Sequence, residues 1–342
     1  MMANPRLFDA SQAFDHPVTV GIVSTIAIGL LVASLLVRIL KRTGRIDETT
    51  YRELLDRTRS WYALSIAMVL PILLGAAWVC GFFLLLSLFC FREYARATEL
   101  NASRTAMISV VMAILLTNFA VVDHWMGLFT TSWALGIGWI AVVGLLPDQP
   151  QGYLRRVSLA VLGFALFGIS LGHLAYISND IFFRPILLWL LFCTELNDVF
   201  AYLTGKSFGR HKLLPHTSPN KTIAGAVGAI VLTTLLAAFI GSYVFRGTTL
   251  AQPHHLIALG LLISILGQCG DLVVSSIKRD LGLKDMSAVI PGHGGLLDRF
   301  DSLLFVAPCV FHYMNYFKSN GVGLEQPARI IASVLRAGYF FV

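Results

Sequence analysis

VTVGIVSTIAIGLLVASLLVRIL, running from Val18 to Leu40, carries one charge, Arg38, among apolar and small residues. An α-helix rises about 1.5 Å per residue, so this run crosses a hydrocarbon core of about 30 Å unaided. No cleavable signal peptide is expected from the polar residues before it. Working outward, further spans of the same kind are predicted at 61–75, 77–93, 105–122, 130–146, 157–177, 183–203, 223–245, 256–279 and 301–317. The second and third come from one unbroken apolar stretch that overfills a single bilayer crossing, and it is divided at Gly75-Ala76. The fold class expected is all-α, a polytopic membrane protein with about eight to ten transmembrane helices.

Composition agrees with that solvent. Hydrophobic residues make up 56% of the 342 and charged residues only 13%, against about 25% in a soluble domain, which excludes a soluble globular chain. The few charges are also unevenly placed. Segment 38–59 holds seven of the 26 cations, and thirteen more fall in alternate loops that ten spans place on the same side. The positive-inside rule makes that side cytoplasmic and puts both termini outside. The net charge of +7 therefore follows from topology and calls for no nucleic-acid partner. The five cysteines (Cys80, Cys90, Cys193, Cys269, Cys309) lie in apolar runs without CxxC spacing and are expected to be small buried side chains.

Residues 1–189 are read as scaffold helices and 190–317 as the part carrying chemistry. A tail follows at 318–342, whose residues 328–341 have the spacing of an interfacial helix. After residue 190, polar groups enter the spans. In Thr194-Glu195-Leu196-Asn197-Asp198-Val199-Phe200-Ala201-Tyr202, the residues Glu195, Asp198 and Tyr202 share a helical face. Acids at membrane depth are costly and face a cavity or a partner. A basic, glycine-containing loop is expected next, Gly205-Lys206 through Lys212, continuing to Ser218-Pro219-Asn220-Lys221-Thr222. Lysines and glycines before a helix suit a polyphosphate, although a basic loop alone is more often a topology determinant.

The densest cluster runs from Asp271 to Asp301. Asp271, Ser275 and Lys278 stand at i, i+4 and i+7, one polar stripe on an apolar helix. Arg279, Lys284, Asp285 and Pro291-Gly292-His293-Gly294-Gly295 follow, then Asp298-Arg299-Phe300-Asp301. Several acids beside several cations form a hard-oxygen metal site next to an anion site, the layout for attack on a nucleotide phosphate.

This cluster resembles the signature of CDP-diacylglycerol synthases (phosphatidate cytidylyltransferases), Ser-x-x-Lys-Arg, Lys-Asp and His-Gly-Gly-x-x-Asp-Arg-x-Asp, from Ser275 to Asp301 without a gap. Asp198…Tyr202, Gly205-Lys206 and Ser218-Pro219…Lys221-Thr222 also fall where that family has related elements. The resemblance implies a membrane nucleotidyltransferase joining CTP and phosphatidate into CDP-diacylglycerol and diphosphate, a step of phospholipid biosynthesis. It implies Asp271 and Asp298 as ligands of Mg2+, with a second cation, monovalent or divalent, left open. It gives catalytic roles to Asp271, Asp298, Lys278, Arg279 and His293. Substrate contacts fall to Asp198, Tyr202, Lys206, Ser218, Lys221, Thr222, Ser275, Lys284, Asp285, Arg299 and Asp301. The partners expected are CTP, phosphatidate and membrane lipid, with a homodimer left open, in a bacterial cytoplasmic membrane with the site facing the cytoplasm. The sequence departs from the family at Val274, where glutamate is common, at Ile223-Ala224, where Trp-Glu is common, and at Asn197-Asp198. The competing readings are another CTP-using lipid enzyme, such as a lipid-alcohol kinase, and a transporter using intramembrane acids.

Overall fold

The computed structural model describes residues 5–287, 289–290 and 294–318. A short helix α1 (Pro5–Phe8) precedes α2 (Pro17–Arg42), α3 (Glu48–Leu74), α4 (Ala76–Ala97), α5 (Arg104–Val122) and α6 (Met126–Val143). The next crossing joins α7 (Tyr153–Gly163) to α8 (Leu171–Ile177) through a π-helical segment, Phe164–Ser170. Then come α9 (Phe183–Phe208), a hairpin of β1 (Lys212–Leu214) and β2 (Ser218–Thr222), α10 (Ile223–Val244), α11 (Pro253–Asp280), α12 (Leu297–Phe300) and α13 (Leu303–Phe317). The protein is an all-α polytopic membrane protein. Eight of these crossings are long and apolar enough to span by themselves among the described residues. Helix α3 begins with a charged turn, and α13 is only 15 residues long. The run from α12 through α13 nonetheless extends from one end of the bundle to the other.

Local chemistry sets the breaks. Asp47 caps α3, accepting from the Thr49 hydroxyl and, at 3.3 Å, from the Thr50 amide; these contacts pull its pKa down to about 2. Gly75 separates α3 from α4 at φ 131°, a conformation that other L-residues rarely adopt. Thr222 caps α10 through its hydroxyl, which accepts from Gly225 N at 3.0 Å. Proline opens α2 and α11 at the first turn, where the missing N–H costs nothing.

The helices alternate in direction, so the bundle has two polar ends. One end gathers the 42–48, 97–104, 143–153, 208–223 and 280–297 connections and is called here the site end. The opposite end holds both described chain ends. There Arg184 donates to the Asp9 carbonyl, and the Lys318 ammonium pairs with the Asp180 carboxylate. The core lies among α4, α5, α8, α9, α11 and α13, whereas α2 is almost wholly exposed along its length. Cys80, Cys90 and Cys193 are buried as expected. Cys269 and Cys309 are exposed instead, because an apolar run in a membrane has an outward face that an apolar residue suits equally well. The tail at 328–341 lies outside the described residues.

Candidate active site

The helical hairpin of α9 and α10 builds the cavity. Helix α9 continues to Phe208, so Gly205 and Lys206 sit on its last turns and not in the loop expected there. The chain then forms the antiparallel β1–β2 hairpin, Lys212 opposite Thr222 and Leu214 opposite Ser218. The two helices approach so closely that only hydrogen fits at their contact. A Cβ on Gly225 would meet the Ala201 carbonyl at 2.6 Å, and one on Gly228 would meet Thr204 at 2.5 Å. Between this hairpin and α11 opens a cavity of about 620 Å³. Asp198, Tyr202, Lys206, Lys221, Thr222 and Asp271 all line it, six of the residues that the sequence singled out. Ser218 does not; it lies at the far end of the strand pair. Lys206 Nζ stands 5.8 Å from the Tyr202 ring centre, a cation–π distance.

Asn197 supports this floor. Fully buried, its Oδ1 accepts from Thr233 Oγ1 at 2.9 Å and Ser264 Oγ at 2.6 Å, while Nδ2 donates to the Ser264 carbonyl at 3.3 Å. One amide thus ties α9 to both α10 and α11. Its neighbour Asp198 is thereby aimed at the cavity, and Ser302 Oγ donates to Asp198 Oδ2 at 3.4 Å.

Along α11 the polar stripe divides between two partners. Asp271 Oδ2 lies 2.5 Å from Lys221 Nζ, and Ser275 Oγ donates to Asp271 Oδ1 at 3.1 Å. Two turns further, Lys278 is buried and pairs at 2.7 Å with Asp298 Oδ1. Helical spacing alone placed Lys278 beside Asp271, and the structure gives that position to Lys221, which arrives from β2. Asp301, also buried, feels the charges of Asp271 and Asp198, so three carboxylates crowd one region. Arg299 lends positive charge to Asp198 and Glu195, and its buried Nε has no hydrogen-bond partner among the described residues. Arg279 reaches out of the helix, its Nη1 donating to the Leu283 carbonyl at 2.7 Å and its Nε to the Thr217 carbonyl at 3.3 Å, which ties α11 to the hairpin. Lys284 and Asp285 are exposed on the following loop. His293 lies outside the described residues. Val274 belongs to the hydrophobic core, where valine needs no polar partner.

Two carboxylates hold the described residues on either side of 291–293, Met286 and Ser287 before it and Gly295 to Leu297 after it. Asp298 Oδ2 accepts from Met286 N at 3.0 Å and Gly295 N at 2.9 Å. The second carboxylate is Glu93, near the end of α4, and it was not singled out by the sequence. Its Oε1 accepts from Ser287 Oγ at 2.6 Å and Leu296 N at 3.0 Å, and its Oε2 from Leu297 N at 2.9 Å. The only signal for it in the sequence was an acid just past a long apolar run, separated from it by Arg92.

A metal fits the chemistry of this donor set better at some residues than at others. Crowded carboxylates of like charge favour a cation between them. No three potential ligands converge into a ready cage among the described residues. A magnesium ion needs only one or two carboxylates when substrate phosphates supply the rest. Asp271 opens to the cavity and meets that need; Asp298 already carries a lysine and two amides, leaving it fewer free lone pairs.

The profile described as the cytidylyltransferase family matches residues 55–317. An Escherichia coli K12 protein described as uncharacterized protein YnbB is 34% identical over 293 residues, 84% of this chain and 95% of its own. A phosphatidate cytidylyltransferase of Bacillus subtilis is 41% identical over 138 residues, 40% of this chain and 48% of its own. One of Staphylococcus epidermidis is 29% identical over 251 residues, covering 72% and 93%. With most of its length matched and its motifs gathered at one end of the bundle, the chain belongs to the cytidylyltransferase family.

Proposed function

We propose that the protein transfers the cytidylyl group of CTP to phosphatidate, giving CDP-diacylglycerol and diphosphate. One observation carries this reading: a cavity lined by Lys206, Lys212 and Lys221 on one hand and by Asp198 and Asp271 on the other, at the polar end of membrane-spanning helices. Such a site meets a triphosphate from water and a lipid from the bilayer. The relatives named phosphatidate cytidylyltransferase support the choice of lipid.

A phosphate oxygen of phosphatidate attacks the α-phosphorus of CTP, the bond to the β-phosphate breaks, and diphosphate leaves with that electron pair. The lipid phosphate is already a nucleophile, so no covalent intermediate on the protein is needed. Lys221 and Lys206 hold the triphosphate, and Lys278 and Arg279 offset charge as diphosphate departs. Thr222 lines the cavity, Ser275 steadies Asp271 through its hydroxyl, and Arg299 adds positive charge near Asp198 and Glu195, whereas Ser218 stands apart from the cavity and Lys284 and Asp285 are exposed on the loop beyond α11. Mg2+ held chiefly by Asp271, with Asp298 as the second ligand only where substrate binding loosens its hold on Lys278 or the loop amides, would neutralise the triphosphate and assist the leaving group. We place the protein in a bacterial cytoplasmic membrane with the site end facing CTP, because the cations crowd that end.

The test is the protein purified in detergent with labelled CTP, magnesium and phosphatidate. Label in a CMP-bearing lipid is the expected result. Transfer of phosphate alone to a lipid alcohol would identify a kinase and overturn the proposal. For sidedness, a cysteine placed between 206 and 221 should resist an impermeant thiol reagent in intact cells, and one at 248–252 should label. The reverse pattern would separate the site from CTP.

A further inference from the structure

Glu93 comes from a helix read as scaffold, yet its carboxylate is spent wholly on the loop that leads into Asp298. Only 8% exposed, it accepts three hydrogen bonds from that loop, from Ser287 Oγ, Leu296 N and Leu297 N. Among the described residues no cation pairs with it. Its charge is balanced by these donors alone, and hydrogen bonds to a carboxylate are stronger than neutral ones. Gly295 is wedged between the two carboxylates. A Cβ there would meet Glu93 Oε2 at 2.8 Å, Ser287 Oγ at 2.9 Å and Asp298 Oδ2 at 3.1 Å. The Gly295 amide and the next one are therefore shared out, Gly295 N to Asp298 and Leu296 N to Glu93. Moving one carboxylate moves the loop, and with it the donors that orient the other.

We propose that Glu93 is a positioning residue for the reaction, holding Ser287, Leu296 and Leu297 so that Asp298 and Lys278 keep their alignment. This rests on the nucleotidyl-transfer reading above. Glu93 touches no substrate; it acts through Ser287, Leu296 and Leu297. A glutamine at this position keeps one acceptor and turns an NH2 group toward the backbone amides, setting donor against donor. The damage falls on geometry in the transition state and little on CTP binding, and small misplacements in an active site are costly.

The experiment compares wild type, Glu93→Gln, Glu93→Asp, Ser287→Ala and the double variant Glu93→Gln/Ser287→Ala, each assayed per mole of folded, monodisperse protein. Glu93→Gln should lower kcat at least about tenfold while the KM for CTP stays within about threefold. Glu93→Asp, which keeps the charge, should recover part of that loss. Adding Ser287→Ala to Glu93→Gln should cost less than Ser287→Ala costs alone, since both remove one contact. Hydrogen exchange of the peptide containing Leu296 and Leu297 should quicken in Glu93→Gln without a general change elsewhere. Wild-type kcat in Glu93→Gln, strictly additive losses, or exchange that is faster throughout the chain would overturn the proposal. If Glu93→Gln fails to fold, Ser287→Ala carries the test: unchanged kcat and unchanged exchange at Leu296 and Leu297 would count against it. If wild type itself makes no CMP-bearing lipid, the nucleotidyl-transfer reading fails, and the exchange measurement still reads whether Glu93 holds the loop.

Discussion

The two ends of the bundle each hold a buried lysine–carboxylate pair, and the pairs are wired alike. At the site end Asp298 gives one oxygen to Lys278 and the other to the Met286 and Gly295 amides. At the opposite end Asp180 gives one oxygen to Lys318 and the other to the Phe182 amide at 2.9 Å. Side-chain exposures are 9% and 2% in the first and 6% and 0% in the second, so burial does not tell them apart. Their surroundings do. Asp198, Asp271 and Asp301 crowd near the first pair, beside an open cavity bearing three lysines. The second closes the turn between α8 and α9 against the end of α13. An intramembrane ion pair marks a site when it borders unpaired charge and open volume, and is otherwise a fastening.

That contrast is breakable. Asp298→Asn should reduce turnover on the order of 10³-fold in a protein that still folds, because it removes a charged group from the reaction centre. Asp180→Asn should leave kcat within about threefold and cost about 3 kcal/mol of stability, the penalty of stranding a buried lysine. Loss of turnover in a well-folded Asp180→Asn protein would erase the distinction. The lysines sharpen it further: Lys278→Ala should lower kcat roughly 10²-fold, whereas Lys221→Ala, at the open cavity, should chiefly raise the KM for CTP, by about tenfold. Arginine should rescue position 221 better than the buried 278. Equal effects on kcat and KM at both positions would show one undivided cluster. Asn197→Ala strands the Thr233 and Ser264 hydroxyls and should cost about 1–3 kcal/mol in thermal unfolding, with turnover per folded molecule falling far less than in Asp298→Asn. The smallest effect belongs to the exposed ladder of Lys41, Glu48 and Arg52. Glu48→Gln should leave both melting temperature and kcat unchanged, since water screens such pairs.

Much of the fold was legible because lipid leaves few choices. The division at Gly75 follows from bilayer thickness alone, and the observed φ of 131° explains why the break falls on that residue. That Asp198 and Tyr202 turn toward one cavity follows from helical spacing, which gives them a common face of α9. What escaped was everything that depends on distance along the chain. Glu93 meets residues 194 to 204 positions away, and no local pattern announces that. Helical spacing also put Lys278 with Asp271, because spacing fixes a face and not the partner opposite. The β1–β2 hairpin is too short, and too interrupted by Pro215 and Pro219, for alternation to show. Cys269 and Cys309 were expected inside because apolar was equated with interior, an equation that holds in water and fails in lipid.

The closeness of α9 to α10 has a consequence for how this enzyme can diverge. Gly225 and Gly228 admit no side chain without prising the hairpin apart, and Gly209 is as tightly held, its Cβ position 2.2 Å from the Gly205 carbonyl. One wall of the cavity is thus closed to gradual mutation: a single methyl group there displaces backbone before it can reshape the pocket. Tyr202 and Lys212, by contrast, line the same cavity with exposed side chains. Lineages that acquire a new headgroup or nucleotide preference should therefore vary along that rim and keep the glycine seam, so the record of changing specificity would be written on one side of the cavity only.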